Sequence, residues 1–217
     1  AVIVFKVSSD CQLNRDVFLG GELTLIGQGQ TMDTLKTITA DDGINIFELD
    51  GDDHKLNLWH LKLTGGDNSG LGGAIRIASD GGELNMYYSE VSGNNGQQGG
   101  GIAGTGASDT NKNAIINIYN SIIKDNTAND GYGGGNNGGG IYLYRAVATI
   151  QDTTIDSNQA TDDGGGLAIT SSSDVTMKNV IISNNNAGTG RDGGGMKIAG
   201  DSTTVILRQS SFINNDA

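Results

Sequence analysis

The amino-acid sequence predicts an all-β fold, a right-handed parallel β-helix (solenoid) of about seven coils with three short strands per coil. The first observation is a repeat, because a small or asparagine residue recurs every 27 to 32 residues from Gly66 to Asn215. The second is a two-residue spacing of apolar side chains before these positions, which is the period of a β-strand. The third is composition: 36 of the 217 residues are glycine and none is proline, as expected for tight turns between hydrogen-bonded strands.

Four columns of small or apolar residues lie ten, eight, five and three positions before each recurring residue. In the coil that ends at Asn126 these are Ile116, Ile118, Ser121 and Ile123. The spacing of two inside each pair predicts a short strand, and the offset of three between the pairs predicts a bend. Each coil therefore contributes two strands to this part of the repeat.

A third strand is predicted behind a glycine cluster in each coil. The cluster at 164–166, for example, is followed by the alternating apolar residues Leu167 and Ile169. Three strands joined by turns give a triangular solenoid, in which equivalent positions lie about 4.8 Å apart. The segments 104–112 and 130–137 lengthen single coils without disturbing the columns, so we expect outward loops there.

The recurring asparagines are predicted to form a structural ladder. Side-chain amides stacked in register donate hydrogen bonds from coil to coil and satisfy turn backbone that would otherwise be buried without partners. The predicted members of this ladder are Asn94, Asn126, Asn158, Asn185 and Asn215.

We expect a single β-helix domain over residues 1–217, with less regular opening coils at 1–53 and regular repeats at 54–217. The last residues, 214–217, directly follow a complete repeat, without a predicted segment that covers the last layer of the core. Unprotected strand edges favour pairing, so two alternatives stay open. Either the chain is a fragment of a longer solenoid with flanking repeats, or it self-associates end to end with other copies into a filament.

Two segments carry a recognisable repeat signature, since residues 72–75 read GGAI and residues 212–215 read FINN. Over residues 55–217 the sequence resembles the polymorphic outer membrane protein family, whose repeats pair Gly-Gly-Ala-Ile with Phe-x-x-Asn. The other coils carry Gly-Gly-Gly before Ile, Leu or Met, and Ile-x-x-Asn in most of them. The resemblance implies a β-helix displayed outside the cell, at the cell surface, in adhesion or as a structural stalk.

The net charge of −12 and the pI of about 4.3 argue against nucleic acid and anionic membrane surfaces as partners. Cations and neutral glycans are compatible with this charge. No stretch approaches the roughly eighteen apolar residues of a membrane-spanning helix, so direct membrane insertion is not expected. The single cysteine, Cys11, is expected to be a small buried side chain.

Parallel β-helices also host enzymes that cleave polysaccharides, which need clustered carboxylates, or a calcium site with a basic residue, on the outer face. The candidates here are Asp50, Asp52, Asp53 and His54, followed by His60. The first four form one contiguous turn, where acidic residues are ordinarily solvated. We therefore predict no catalytic residues, and a polysaccharide-binding or polysaccharide-cleaving protein is the alternative.

Calcium is the one cofactor that the sequence suggests. Asp163 and Asp192 directly precede equivalent glycine clusters, and stacking would bring them together with Asp162 and Asp130 as oxygen ligands. The acidic column is incomplete, because earlier coils have uncharged amides at this point. These residues are Gln98 and Asn137. Simple solvation of the turns is the alternative.

An outward column lies seven positions before each recurring residue, between two inward residues of a strand. It contains Trp59, Tyr87 and Tyr119, followed by Gln151, Lys178 and Arg208. The three aromatic residues, here called the aromatic stripe, are predicted to stack as a glycan-binding platform, as a subunit contact, or only as a ladder that stabilises the sheet. The outward column two positions earlier mixes asparagines with Thr149 and Thr176, so it lacks the uniform threonine rows of an ice-binding solenoid.

The sequence thus predicts a non-enzymatic, extracellular structural or adhesive module. Its stiffness comes from stacked coils, and its outer face contacts a glycan or another host or cell-surface ligand. The family resemblance identifies a fold more specifically than it identifies a ligand.

Overall fold

Alternating apolar residues form strands in this chain because every second side chain is buried on the inner side of a coil. The computed structural model describes residues 2–29, 31–78, 81–107, 112–129 and 137–217, and shows an all-β parallel β-solenoid. The chain visits three parallel sheets in turn, and these sheets contain eight, eight and seven strands. The predicted fold class, with three strands per coil, is confirmed.

The first sheet consists of Val2–Val7, Glu22–Gly27, Lys55–Trp59, Gly82–Tyr87, Ala114–Tyr119, Ala146–Gln151, Asp174–Lys178 and Thr204–Arg208. The second consists of Cys11–Leu13, Lys36–Ala40, Leu61–Thr64, Glu90–Ser92, Ile122–Lys124, Thr154–Asp156, Ile181–Ser183 and Ser211–Ile213. The third consists of Val17–Leu19, Phe47–Leu49, Ile75–Ile77, Ile102–Thr105, Ile141–Tyr144, Leu167–Thr170 and Met196–Ala199. A short additional sheet contains Asn95–Gly96, Thr127–Ala128 and Gln159–Ala160, and a 3-10 helix spans Met32–Thr34. Outward loops were predicted at 104–112 and 130–137. Of these two segments, residues 108–111 and 130–136 lie outside the described residues.

Equivalent residues of successive coils pair in register, so the predicted apolar columns run through the interior. In the first sheet Met86 pairs with Leu58 of the preceding coil and Ile118 of the next, and the column continues to Ile150 and Met177. All five side chains are fully buried. Each layer therefore packs on its neighbour, and burying one such side chain contributes roughly 1.5–3 kcal/mol.

The buried interior extends from Leu19 to Ile182, whereas the coils at both ends carry exposed apolar residues. In the opening coil Phe5 and Phe18 are 56% and 67% exposed. Cys11 is exposed as well, so the expectation of a buried thiol was wrong, because its strand lies at the edge of the second sheet. In the described part of the chain no helix is long and apolar enough to cross a membrane.

The corner between the first and second sheets is built by residues other than glycine in the left-handed conformation. His60, Tyr88 and Asn120 have φ angles of 53°, 48° and 49°. Later coils place Asp152, Asn179 and Gln209 at this corner. This conformation is unfavourable for L-residues, but in every coil before the last one the backbone N–H at this corner donates to the next coil, as His60 does to Tyr87 at 3.2 Å and Tyr88 to Tyr119 at 3.1 Å.

A buried carboxylate joins three coils on the outer face of the second sheet. Glu90 is only 7% exposed, and its Oε1 accepts a hydrogen bond from Ser92 Oγ at 2.7 Å. The Nζ atoms of Lys62 and Lys124, one coil on either side, lie 3.0 and 3.6 Å from the same oxygen. Burial alone raises the pKa of Glu90, but the hydrogen bonds from Ser92 and Lys62 and the two positive charges outweigh it, so the pKa is lowered.

We expect Glu90→Gln to lower the free energy of unfolding by about 1–2 kcal/mol at neutral pH, because the variant loses a hydrogen-bonded charge. A carboxyl group whose pKa is lowered by folding stabilises the fold above its unfolded pKa and loses this contribution as the pH falls through the folded pKa. The difference between wild type and variant should therefore shrink once the pH falls below 4.5, the ordinary pKa of the group.

Urea unfolding followed from neutral pH into the acid range measures this dependence. Asp174→Asn is the control, because Asp174 is exposed and forms no ion pair within the described residues. It should change the free energy of unfolding by less than about 0.5 kcal/mol at any pH. A loss in Glu90→Gln that stayed constant down to the acid limit would contradict the role assigned to this charge.

Candidate binding surface

The five predicted ladder asparagines lie in one column at the corner that follows the second sheet. The Nδ2 atoms of Asn94, Asn126, Asn158 and Asn185 each donate to Oδ1 of the asparagine in the next coil, at 2.9 to 3.0 Å, and Asn215 completes the column. Each of the five amides also donates to a backbone carbonyl of the preceding coil. These carbonyls belong to Leu63, Val91, Ile123, Ile155 and Ile182. The column links the coils into a rigid support for the outer surface.

The three rings of the aromatic stripe stack on the outer face of the first sheet. The ring centroids of Trp59 and Tyr87 are 4.0 Å apart with planes at 15°, and those of Tyr87 and Tyr119 are 5.2 Å apart with planes at 9°. The in-register pairing of their strands places these residues side by side. All three are partly exposed. Because the ring faces cover one another, the stripe presents mainly ring edges to solvent.

The polar atoms at these ring edges are available for binding. Within the described residues, Trp59 Nε1 and the hydroxyl groups of Tyr87 and Tyr119 form no hydrogen bond. Burial raises the pKa of Tyr87, and the charges of Tyr119 and Glu83 raise it further. The Tyr87 hydroxyl therefore stays protonated at neutral pH and can both donate and accept a hydrogen bond.

Two aromatic side chains beside the stripe were missed as binding residues by sequence reasoning. The left-handed corner places His60 and Tyr88 at the end of the first sheet, where their rings stack with centroids 5.3 Å apart and planes at 9°. Tyr88 is 42% exposed, and its centroid lies 6.4 Å from that of Trp59. A cleft of about 630 Å³ adjoins His60. It is lined by Lys6, Ile26, Gln28 and His60. The stripe thus ends in a recess.

A second asparagine ladder flanks the stripe on the outer face. Asn85 Nδ2 donates to Asn57 Oδ1, and Asn117 Nδ2 donates to Asn85 Oδ1, both at 2.9 Å. The same column continues to Thr149 and Thr176 in the next two coils. An amide column and an aromatic column therefore lie side by side on the first sheet. Hydrogen bonds order the amides, and stacking orders the rings.

Two carboxylates of the acidic turn considered for catalysis lie close to basic side chains. Asp52 Oδ2 lies 2.9 Å from Lys112 Nζ, and Asp53 Oδ1 lies 3.6 Å from His54 Nε2. The hydrogen bond and the positive charge of Lys112 lower the pKa of Asp52. This carboxyl is therefore ionised at neutral pH and unsuited to donating a proton. His60 belongs to the stacked corner instead.

The acidic residues considered for calcium are paired with two cations that sequence reasoning missed. The buried Asp162 places Oδ1 2.8 Å from Arg191 Nη2. Asp163 and Asp192 both form ion pairs with Lys197, and the backbone N–H of Asp192 donates to Asp163 Oδ1 at 2.8 Å. The hydrogen bond and charge of Lys197 lower the pKa of Asp192. Each of these carboxylates thus already has a basic side chain as partner, with Lys197 shared between two of them.

The rest of the predicted calcium site is only partly described. Asp130 lies outside the described residues, and the side chain of Asn137 donates to Thr161 Oγ1 at 3.5 Å. Among the residues that the structure describes, no three or more histidine, cysteine, aspartate or glutamate side chains converge as metal ligands. Calcium binding remains a prediction from sequence.

In-register coils with an internal asparagine ladder define the class of this chain, a parallel β-solenoid repeat protein. Comparison with models of protein families, with curated proteins and with solved structures found no match. The resemblance to polymorphic outer membrane proteins therefore depends on the GGAI and FxxN segments alone.

Proposed function

We propose that this chain is a non-enzymatic, extracellular structural or adhesive module, of the kind found in polymorphic outer membrane proteins, that binds a cell-surface glycan. The contact surface is the outer face of the first sheet. The observation that carries this proposal is the aromatic stripe, in which Trp59, Tyr87 and Tyr119 stack in register and have polar edge atoms that pair with none of the described residues.

A preorganised surface of this kind is suited to adhesion. Side chains that are already ordered lose little conformational entropy on binding, and the stripe is ordered by its own stacking and by the asparagine ladders. Tyrosine and tryptophan are also the residues that most often dominate the binding energy of an interface.

The chemistry of the surface favours a hydroxyl-rich ligand. The stripe offers an indole N–H and phenolic hydroxyls. In the adjoining column the amides of Asn57 and Asn85 already bind within the protein, and Asn117 Oδ1 forms no hydrogen bond within the described residues and can accept one from a ligand. A glycan presents many hydroxyl groups that donate and accept hydrogen bonds, whereas the overall charge of −12 opposes partners that bind mainly through negative charge.

The test is a glycan array probed with the wild-type chain and with a triple variant, Trp59→Ala, Tyr87→Ala and Tyr119→Ala. Because each of these side chains is of the type that contributes about 2 kcal/mol or more at a binding centre, we expect the variant to bind at least roughly 30-fold more weakly. The matched control is Gln151→Ala, Lys178→Ala and Arg208→Ala, which lie in the same column beyond the aromatic residues.

The control variant should retain binding to within about threefold. Circular dichroism of both variants checks that the solenoid is still folded. Equal binding by the wild type and the folded aromatic variant, or no glycan bound by the wild type, would refute the proposal.

A further inference from the structure

A groove crosses the outer face of the third sheet, on a different sheet from the aromatic stripe. Ala103 pairs there with Arg76 of the preceding coil and Tyr142 of the next. Because alanine contributes only a methyl group, the side chains of Arg76 and Tyr142 are separated by two strand spacings, roughly 9.6 Å. The groove has a volume of about 330 Å³. Its principal lining residues are Leu71, Arg76, Gln98, Thr105, Tyr142 and Tyr144.

Arg76 is held on one edge of its guanidinium only. Its Nη1 donates to Oε1 of Glu48, which is 9% exposed and lies in the preceding coil. Its Nε is buried and has no hydrogen-bond partner among the described residues. Nη2, in contrast, is not buried and forms no hydrogen bond with a described residue. Because a guanidinium N–H forms strong, charge-assisted hydrogen bonds with carboxylates, Nη2 is suited to a carboxylate ligand in the groove.

The other walls of the groove suit a sugar ring. Tyr142 packs in a small apolar cluster with Tyr144 against it, which provides a fixed aromatic wall. The side-chain amide of Gln98 forms no hydrogen bond within the described part of the chain. Thr105 Oγ1 donates to a backbone carbonyl at 2.9 Å and so retains lone pairs that accept. Aromatic walls with a few convergent polar groups are typical of ligand sites.

Arg145 places a second positive charge beside the groove. The Arg145 guanidinium lies 5.6 Å from the centroid of the Tyr144 ring, its Nε donates to the Tyr144 hydroxyl at 3.3 Å, and it forms no ion pair with a described carboxylate. The charges of Asp16 and Asp50 lie near Glu48, in coils before Arg76. Repulsion between an acidic ligand and more distant negative charges of the protein is screened over about 8 Å at physiological salt. Contacts within the groove therefore decide whether it prefers an acidic or a neutral ligand.

We propose that this groove binds a carboxylate-bearing sugar, as found in the uronic acid residues of acidic polysaccharides. The sugar carboxylate accepts a charge-assisted hydrogen bond from Nη2 of Arg76. The sugar ring lies against Tyr144, and its hydroxyl groups bind Gln98 and Thr105. This site is independent of the proposed function, which depends on the first sheet.

Isothermal titration calorimetry tests the site with hexasaccharides of galacturonate, glucuronate and mannuronate, each beside its methyl ester. The ester keeps the sugar and removes the charge, so at least one acid should bind more than about tenfold more tightly than its ester. Arg76→Lys keeps the charge but has one nitrogen where the guanidinium uses Nη1 for Glu48 and Nη2 for the ligand, and should weaken binding of that acid at least roughly tenfold. Tyr144→Ala should weaken it as well, because the sugar loses its aromatic wall.

Two controls separate this site from the first sheet. Arg208→Lys makes the same substitution on the first sheet, and the triple aromatic variant removes the stripe; both should bind the acid as the wild type does. The proposal is overturned if no acid binds, if acid and ester bind equally, if folded Arg76→Lys binds normally, or if loss of the stripe abolishes uronate binding.

Discussion

Replacing Asn126 by alanine is expected to lower the free energy of unfolding by about 3–5 kcal/mol. In the wild type Asn126 Nδ2 donates to Val91 O and to Asn158 Oδ1, and Asn126 Oδ1 accepts from the backbone N–H and the side chain of Asn94. The alanine variant leaves Val91 O and the Asn94 N–H buried without these partners, and each such group costs about 1–3 kcal/mol. The loss of the side chain also opens a gap in a fully buried column.

Chemical denaturation of Asn126→Ala beside Asn129→Ala measures this effect. Asn129 is exposed, and among the described residues its side chain makes a single hydrogen bond, to Asn95 Oδ1 at 2.9 Å. The same chemical change there should cost less than about 1 kcal/mol, because water replaces the lost partner. Similar losses in the two variants would show that the internal ladder contributes no more than a surface hydrogen bond.

The interior could be predicted from sequence because a solenoid makes long-range contacts periodic. Ile118 and Ile150 lie 32 residues apart, yet they pair directly, since the chain returns to the same place once per coil. The spacing of the recurring asparagines is enough to align such residues. The outward position of the aromatic stripe followed from the same alignment, because alternate residues of a strand face opposite sides.

The corner and groove residues could not be predicted in this way. His60 and Tyr88 adopt positive φ, but neither is a glycine or an asparagine, so these two positions taken alone do not predict their stacking beside the stripe. Later coils do place Asn120, Asp152 and Asn179 there, and these residue types tolerate the left-handed region. Comparing that column along the chain could have identified the corner.

The ion pairs escaped prediction for a different reason. Lys197 pairs with Asp163 of the preceding coil, and Arg76 pairs with Glu48 of the preceding coil. The residues of each pair stand in columns whose other members differ in charge and polarity from coil to coil. No periodic pattern therefore indicates the pair. Which charges meet is decided by side-chain reach between coils, which spacing alone does not specify.

The glycine clusters of successive coils lie in close contact. Adding a carbon atom there is therefore as informative a test as removing the Asn126 side chain. A Cβ atom added to Gly139 would lie 2.3 Å from Gly165 O and 2.5 Å from Gln159 O. Both are backbone atoms, and the Gly139 N–H itself donates to the next coil, to Gly164 O at 3.0 Å. Relief of the clash therefore requires the coils to separate and their hydrogen bonds to lengthen.

We expect Gly139→Ala to lower the free energy of unfolding by at least about 4 kcal/mol, or to prevent folding, since backbone in a close-packed interior cannot shift by the required ångström. Gly20→Ala is the matched control, because an added Cβ there meets no atom within 4 Å; it should be neutral or stabilising by up to about 1 kcal/mol through a less flexible unfolded chain. Far-UV circular dichroism during urea titration compares the two variants. Unfolding of Gly139→Ala at the same urea concentration as Gly20→Ala would contradict this prediction. Successive coils would then have to lie farther apart at this corner than the hydrogen-bonded contact allows. Glycine would be needed there for the turn alone and not for the stacking of one coil on the next.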